Sequence, residues 1–91
     1  MTAVVLRLYV AGSSPNSQLA RKNLEAVLES LGLREVAPEI IDVLDEPLRG
    51  LEDGVLVTPT LVRSSPPPVR RVIGNLSQRE ILRASLAVTD G

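Results

Sequence analysis

Two side-chain types that carry most enzymatic and metal chemistry are missing, because the chain contains no Cys and no His. Without a thiol there is no disulfide, no thiolate nucleophile and no thiolate metal site. Without an imidazole the commonest general base and the commonest zinc ligand are gone as well. Hydroxyls, amines, guanidinium groups and carboxylates remain. The best placed hydroxyls lie in Ser13-Ser14-Pro15-Asn16-Ser17, a turn whose composition opens a helix, and a helix N-terminus favours anions. A serine gains little there without a base beside it, so helix capping is the plainer role. Asp42, Asp45, Glu46, Glu52 and Asp53 bunch in sequence but lack the ligand order of a calcium loop, and they read as solvated turn residues. No metal or cofactor is expected. Arg63, Arg70 and Arg71, with Lys22, form the strongest basic group. Guanidinium groups pair bidentately with carboxylates and are favoured at interface centres, so this set fits an acidic protein surface; a solvated strand face is the alternative.

Charge balance narrows the partners further. Ten basic and 11 acidic residues leave a net charge of −1, which argues against a general nucleic-acid or membrane-surface binder. No apolar run approaches the roughly 20 residues of a membrane span, and Met1 to Val10 lacks the organisation of a signal peptide. A cytoplasmic protein is expected. Its 91 residues make a single domain, 1–91, with no room for a second core. Tyr9 is the one aromatic residue, so the interior must be built from Leu, Val, Ile and Ala.

The elements that would position these side chains follow from periodicity and turn chemistry. Ala3 to Val10 alternates as a strand, with Val4, Leu6, Leu8 and Val10 on one face. A helix follows to about Leu31, capped by Asn16 or Ser17, with Ala20, Leu24, Val27, Leu28 and Leu31 in one stripe and Gly32 just past its end. Glu39 to Leu44 reads as a second strand buried on both faces. Asp45 caps a short helical turn through Leu51. Val55 to Thr58 begins a third strand that Pro59 interrupts and Thr60 to Val62 resumes. Ser64 to Pro68 is a stiff, extended connector, Val69 to Ile73 a fourth strand, and Ser77 to Glu80 a capping box. The box opens a last helix with Ile81, Leu82 and Leu86 on one side. Strand, helix, strand, short helix, strand, strand, helix is the thioredoxin order, an α/β sheet with helices on both faces.

Several blocks carry a more specific likeness. Leu8-Tyr9-Val10-Ala11-Gly12 with Pro15-Asn16-Ser17, Ile41-Asp42-Val43-Leu44, Thr58-Pro59-Thr60-Leu61, and above all Pro66-Pro67-Pro68-Val69-Arg70-Arg71-Val72-Ile73-Gly74 with Arg79-Glu80 run collinear over nearly the whole chain. In these blocks the sequence resembles the KaiB clock proteins. That resemblance implies a cytosolic, non-enzymatic partner of a KaiC-type ATPase, acting in circadian timing or a related timing or stress system, with KaiA or a histidine kinase bearing a KaiB-like sensor domain as co-partner or competitor. It also implies a metamorphic chain. One form is a βαββααβ tetramer; the other is a thioredoxin-like βαβαββα monomer that binds KaiC. Two folds of one chain coexist only when they differ by a few kcal/mol. Family members usually have Gly and Asp where this chain has Ser85 and Ala87, and both replacements favour helix. Ending at Gly91 without an acidic tail points the same way. The thioredoxin-like form is therefore expected, with the last helix running from Gln78 to about Val88, as a monomer rather than a tetramer.

The resemblance also implies site residues. Lys22, Arg63, Arg70 and Arg71 match basic positions of partner binding, whereas Leu19 and Gly54 stand where many members have basic residues. The strand containing Ile40, Ile41, Asp42 and Val43 matches a partner-binding edge, and edge addition is a general recognition mode. Pro59 is expected to follow a cis peptide bond, in a structural role. Two other readings compete: a stand-alone KaiB-like sensor domain of a clock-output kinase pathway, and a glutathione-binding, transferase-like domain using the serine turn and the cis-proline loop.

Overall fold

The computed structural model describes residues 3–86. Its elements are β1 (Val5–Val10), α1 (Pro15–Ser30), β2 (Glu39–Asp42), α2 (Pro47–Glu52), β3 (Thr60–Ser65), β4 (Arg70–Ile73) and α3 (Arg79–Leu86). The sheet order is β2-β1-β3-β4. β1 runs parallel to β2 and antiparallel to β3, which is antiparallel to β4. This is the thioredoxin-like βαβαββα arrangement, with β2 and β4 at the two edges.

Strand alternation sorts the side chains onto two unequal faces. On one, Leu6, Leu8 and Val10 of β1 pack with Ala20, Leu24, Val27 and Leu28 of α1, Leu61 of β3, and Leu82 and Leu86 of α3. On the other lies a thinner cluster of Tyr9, Ile41, Val55 and Val62, with Val43 against it. The stripe read from sequence on α1 is the buried one. Gly32 adopts φ 71° just beyond the helix, and the Leu33 amide closes on the Leu28 carbonyl at 2.9 Å. A left-handed residue at that point suits glycine.

Boundaries differ from expectation where loops compete with propensity. β1 begins at Val5, not Ala3. Ser14, not Asn16 or Ser17, caps α1: its side chain accepts from the Ser17 amide at 3.3 Å, and Pro15 opens the helix, where a missing N–H costs nothing. Ser17 is buried inside the first turn, and its hydroxyl accepts from the Ala11 amide. β2 stops at Asp42, and only Ile41 of its Ile40-Ile41 pair is buried, because β2 is an edge and Ile40 faces outward. The cap position of α2 is Glu46, with no side-chain hydrogen bond, rather than Asp45. Asp42 supplies the turn chemistry instead: its Oδ1 accepts from the Leu44 and Gly12 amides at 2.9 and 3.1 Å.

The segment expected to begin the third strand is a loop, and β3 starts only at Thr60. The Val55 amide is spent on the Gly50 carbonyl at 2.8 Å, closing α2, and the Thr60 hydroxyl donates to the Val57 carbonyl at 2.7 Å. The Thr58–Pro59 bond is cis as expected, and so are Ser65–Pro66 and Pro67–Pro68. The proline connector is not an extended spacer. Arg63 pairs with Arg70 across an antiparallel ladder, so the chain must reverse between them. α3 opens at Arg79, and Ser77 gives its amide to the Asn75 side chain at 3.0 Å. Ser85 lies in α3, its hydroxyl donating to the Ile81 carbonyl at 3.0 Å. Ala87 and the expected end near Val88 fall outside the described residues.

Candidate functional site

The short helix α2 turns its apolar side chains outward. Its one buried residue is Gly50, and a Cβ there would stand 3.2 Å from Val43 Cγ1, so glycine lets the helix settle against the strand end. Leu48 is 70 % exposed, and Leu44 and Leu51 are similarly open. In the loop that follows, Leu56 is 90 % exposed and Val57 is also uncovered. Leu51, Val55, Leu56, Val57 and Thr58 line a shallow groove of about 330 Å³ that runs to the cis-proline bend. The bend is fixed from behind, since the Pro59 carbonyl accepts from the Gly74 amide at 2.9 Å. Exposed leucines standing singly need no explanation, but Leu51, Leu56 and Val57 share the walls of one groove.

Beneath this surface lies a polar network. The Tyr9 hydroxyl donates to Asp53 Oδ2 and lies 3.3 Å from the Arg49 carbonyl. Arg7 Nη1 reaches the same carboxylate at 3.3 Å. Arg71 donates through Nε and Nη2 to the Asp53 carbonyl at 3.0 and 2.8 Å. Arg49 forms a bidentate pair with Glu39 at 2.6 and 2.9 Å. Burial pushes the Tyr9 phenol up to about 12, with Asp53 adding to the shift and Arg7 and Arg49 opposing it. Hydrogen bonding to Arg49 holds the Glu39 carboxyl below its ordinary range. Among the described residues, no three Asp or Glu side chains converge to hold a metal ion.

The basic residues singled out in the sequence do not form one patch. Lys22 is exposed on α1. Arg63 is only 7 % exposed, its guanidinium donating to the Ser85 carbonyl at 2.6 Å and the Pro68 carbonyl at 3.1 Å. Arg70 and Arg71 are exposed on β4, and alternation sends them to opposite faces of the sheet. On β2, Ile40 is exposed on the free edge strand while Ile41 is fully buried. Asp42 is half-buried and occupied by backbone amides, and Val43 packs against the smaller cluster. Gly54 lies beside Arg71, with room for a Cβ 3.5 Å from its Nη2, though at φ 69°. Leu19 is exposed on α1. Sequence reasoning missed the leucine surface and the Asp53 network. The signal for the first was present: Leu48 and Leu51 stand three apart on a helix of six residues, Pro47–Glu52, and Leu44 lies in the turn before it.

Comparison with known proteins agrees with the motif reading. The KaiB domain family model matches residues 7–88. The circadian clock oscillator protein KaiB of Synechococcus sp. (strain RCC307) is 53% identical over 76 residues, 84% of this chain and 69% of that protein. Its counterpart in Prochlorococcus marinus (strain MIT 9211) is 50% identical over 76 residues, 84% of this chain and 67% of that protein. Among solved structures, the N-terminal domain of Synechococcus elongatus SasA matches with a TM-score of 0.76 at 24% identity, covering 97% of this chain and 87% of that one. Mitochondrial thioredoxin 3 from Saccharomyces cerevisiae matches with a TM-score of 0.71 at 18% identity, covering 91% and 78% of the two chains. At these identities the structural likenesses concern the fold alone.

Proposed function

This chain belongs to the KaiB family, and we propose that it is a non-enzymatic regulator that docks on a KaiC-type ATPase through the leucine surface of α2 and the cis-proline loop. The observation that carries this reading is the exposure of Leu51, Leu56 and Val57 along one groove, with Leu44 and Leu48 also exposed on the preceding turn and on α2. Each large aliphatic side chain gains roughly 1.5–3 kcal/mol on full burial, and a few such anchors supply most of an interface's energy. Lys22 and Arg70, on the sheet face opposite the leucine surface, are proposed as separate contacts to acidic residues of a partner, Arg71 as contributing by its hold on the Asp53 carbonyl, and the free edge of β2 at Ile40 as the seat of a co-partner such as KaiA. A KaiB-like sensor kinase is the proposed competitor for the same ATPase. Arg63 belongs to the interior in this fold, so its proposed contribution to partner binding is indirect. Ser85 and Ala87 are proposed to favour helix over the alternative fold. A monomer confined to the cytoplasm fits this reading; among the described residues, no helix is long and apolar enough to cross a membrane.

The glutathione reading loses its chemical footing. The Ser14 and Ser17 hydroxyls lie 2.8 Å apart, and both are engaged with backbone amides of the same turn. The sensor-domain reading shares the fold, but nothing in the site favours it.

The test is co-purification with the KaiC homologue of the same organism, with and without ATP, followed by association kinetics. Nucleotide-dependent retention and a single, concentration-dependent binding phase are expected, because a chain already in the competent fold escapes the conformational tax on affinity. No retention in either condition, or a slow phase independent of concentration, would overturn the proposal.

A further inference from the structure

The leucine surface is held in place in an unusual way. α2 buries only Gly50, so little apolar packing fixes it to the sheet. Polar side chains from three strands converge on its C-terminal end instead: Tyr9 and Arg7 of β1 on the Asp53 carboxylate, Arg71 of β4 on the Asp53 carbonyl, and Glu39 of β2 on Arg49. An element with few buried apolar contacts opens locally at low cost. The bonds that hold this one are directional; those of Tyr9 and Arg7 to the Asp53 carboxylate are part-buried, so losing either leaves a polar group poorly paired, while those of Arg71 and Arg49 are exposed.

We propose that Tyr9, Arg7 and Arg71 form a clamp on Asp53 that positions α2 and its leucines, and that α2 opens and closes as a unit without unfolding the sheet beneath it. They are positioning residues: they touch no partner, and they set the fraction of chains whose docking surface is assembled. The consequence for affinity rests on the reading of α2 as a docking element; the clamp itself does not.

Amide hydrogen exchange on the free, full-length chain tests it. The reporters are the amides of Asp53, Gly54 and Val55, which close α2 onto the carbonyls of Arg49, Leu51 and Gly50. In Tyr9→Phe and in Asp53→Asn these amides should exchange about tenfold faster, the size of effect a lost part-buried hydrogen bond produces, while those of Leu8, Leu24 and Leu61 keep their rates. Unchanged reporter rates would overturn the proposal. So would acceleration of the core amides by the same factor, which would make the tyrosine a global stabiliser. Arg71→Gln, an exposed substitution outside the core, provides a second variant if the others fold poorly, with the same two outcomes. A chain that shows this pattern yet binds no KaiC homologue would overturn the docking reading and support the clamp.

Discussion

Tyr9 is both the one aromatic residue of the chain and a member of the network under α2. Its phenolate absorbance can therefore be read without deconvolution. The midpoint should lie near 12 rather than 10, because burial and the Asp53 carboxylate both oppose ionisation. The native phenol keeps its proton where the unfolded one loses it. Stability is thus at its full value, as far as this group is concerned, below pH 10 and falls as pH rises from about 10 towards 12. A midpoint near 10 in the folded chain would show the hydroxyl to be solvated and free of Asp53. Glu39 has the opposite sign: held low by Arg49, it supports the fold above the ordinary carboxylate range and loses that support on acidification. At this scale the sequence was readable for residue types and silent on environment. The absence of Cys and His excluded whole chemistries at once. Nothing in the string Leu-Val-Arg-Ser said that Arg63 turns inward while Arg70 and Arg71 stay in water, since a charge pattern does not encode burial.

Elements were legible where one signal dominated. The stripe on α1 and the alternation of β1 name the larger core, because both periods extend over long segments. Short elements were harder. α2 has no capping side chain of its own, and Asp42 does its turn chemistry from the preceding strand. β3 starts late because the residues before it spend their hydrogen bonds on closing α2 and shaping the cis-proline loop. Propensity alone cannot see such competition. Arg63 is the clearest case of a residue acting between elements, for it links the last turn of α3 to the β3–β4 turn through two carbonyls. Arg63→Ala removes both bonds and the packing of its aliphatic stem, and should cost about 2–4 kcal/mol in urea unfolding. Arg70→Ala, on the exposed edge, should stay within about 0.5 kcal/mol. Equal effects would mean that Arg63 is not the tie between these elements.

On the scale of the whole molecule, the order of strands and helices determined the architecture, since parallel strands joined by a right-handed crossover leave few ways to close the sheet. The motif blocks then named the family. The proposed docking surface was less visible, because a leucine contributes the same hydropathy whether it faces the core or the solvent. It emerged only when the core proved complete without Leu44, Leu48, Leu51 and Leu56. The picture is of a small sheet covered firmly by α1 and α3 on one face and, on the other, carrying a lightly packed helix that displays apolar groups. The most direct measurement is an amide-exchange footprint of the full chain with and without the KaiC homologue and ATP. Protection concentrated over residues 44–58 is expected; protection confined to α1 and α3, with residues 44–58 unchanged in the complex, would contradict it.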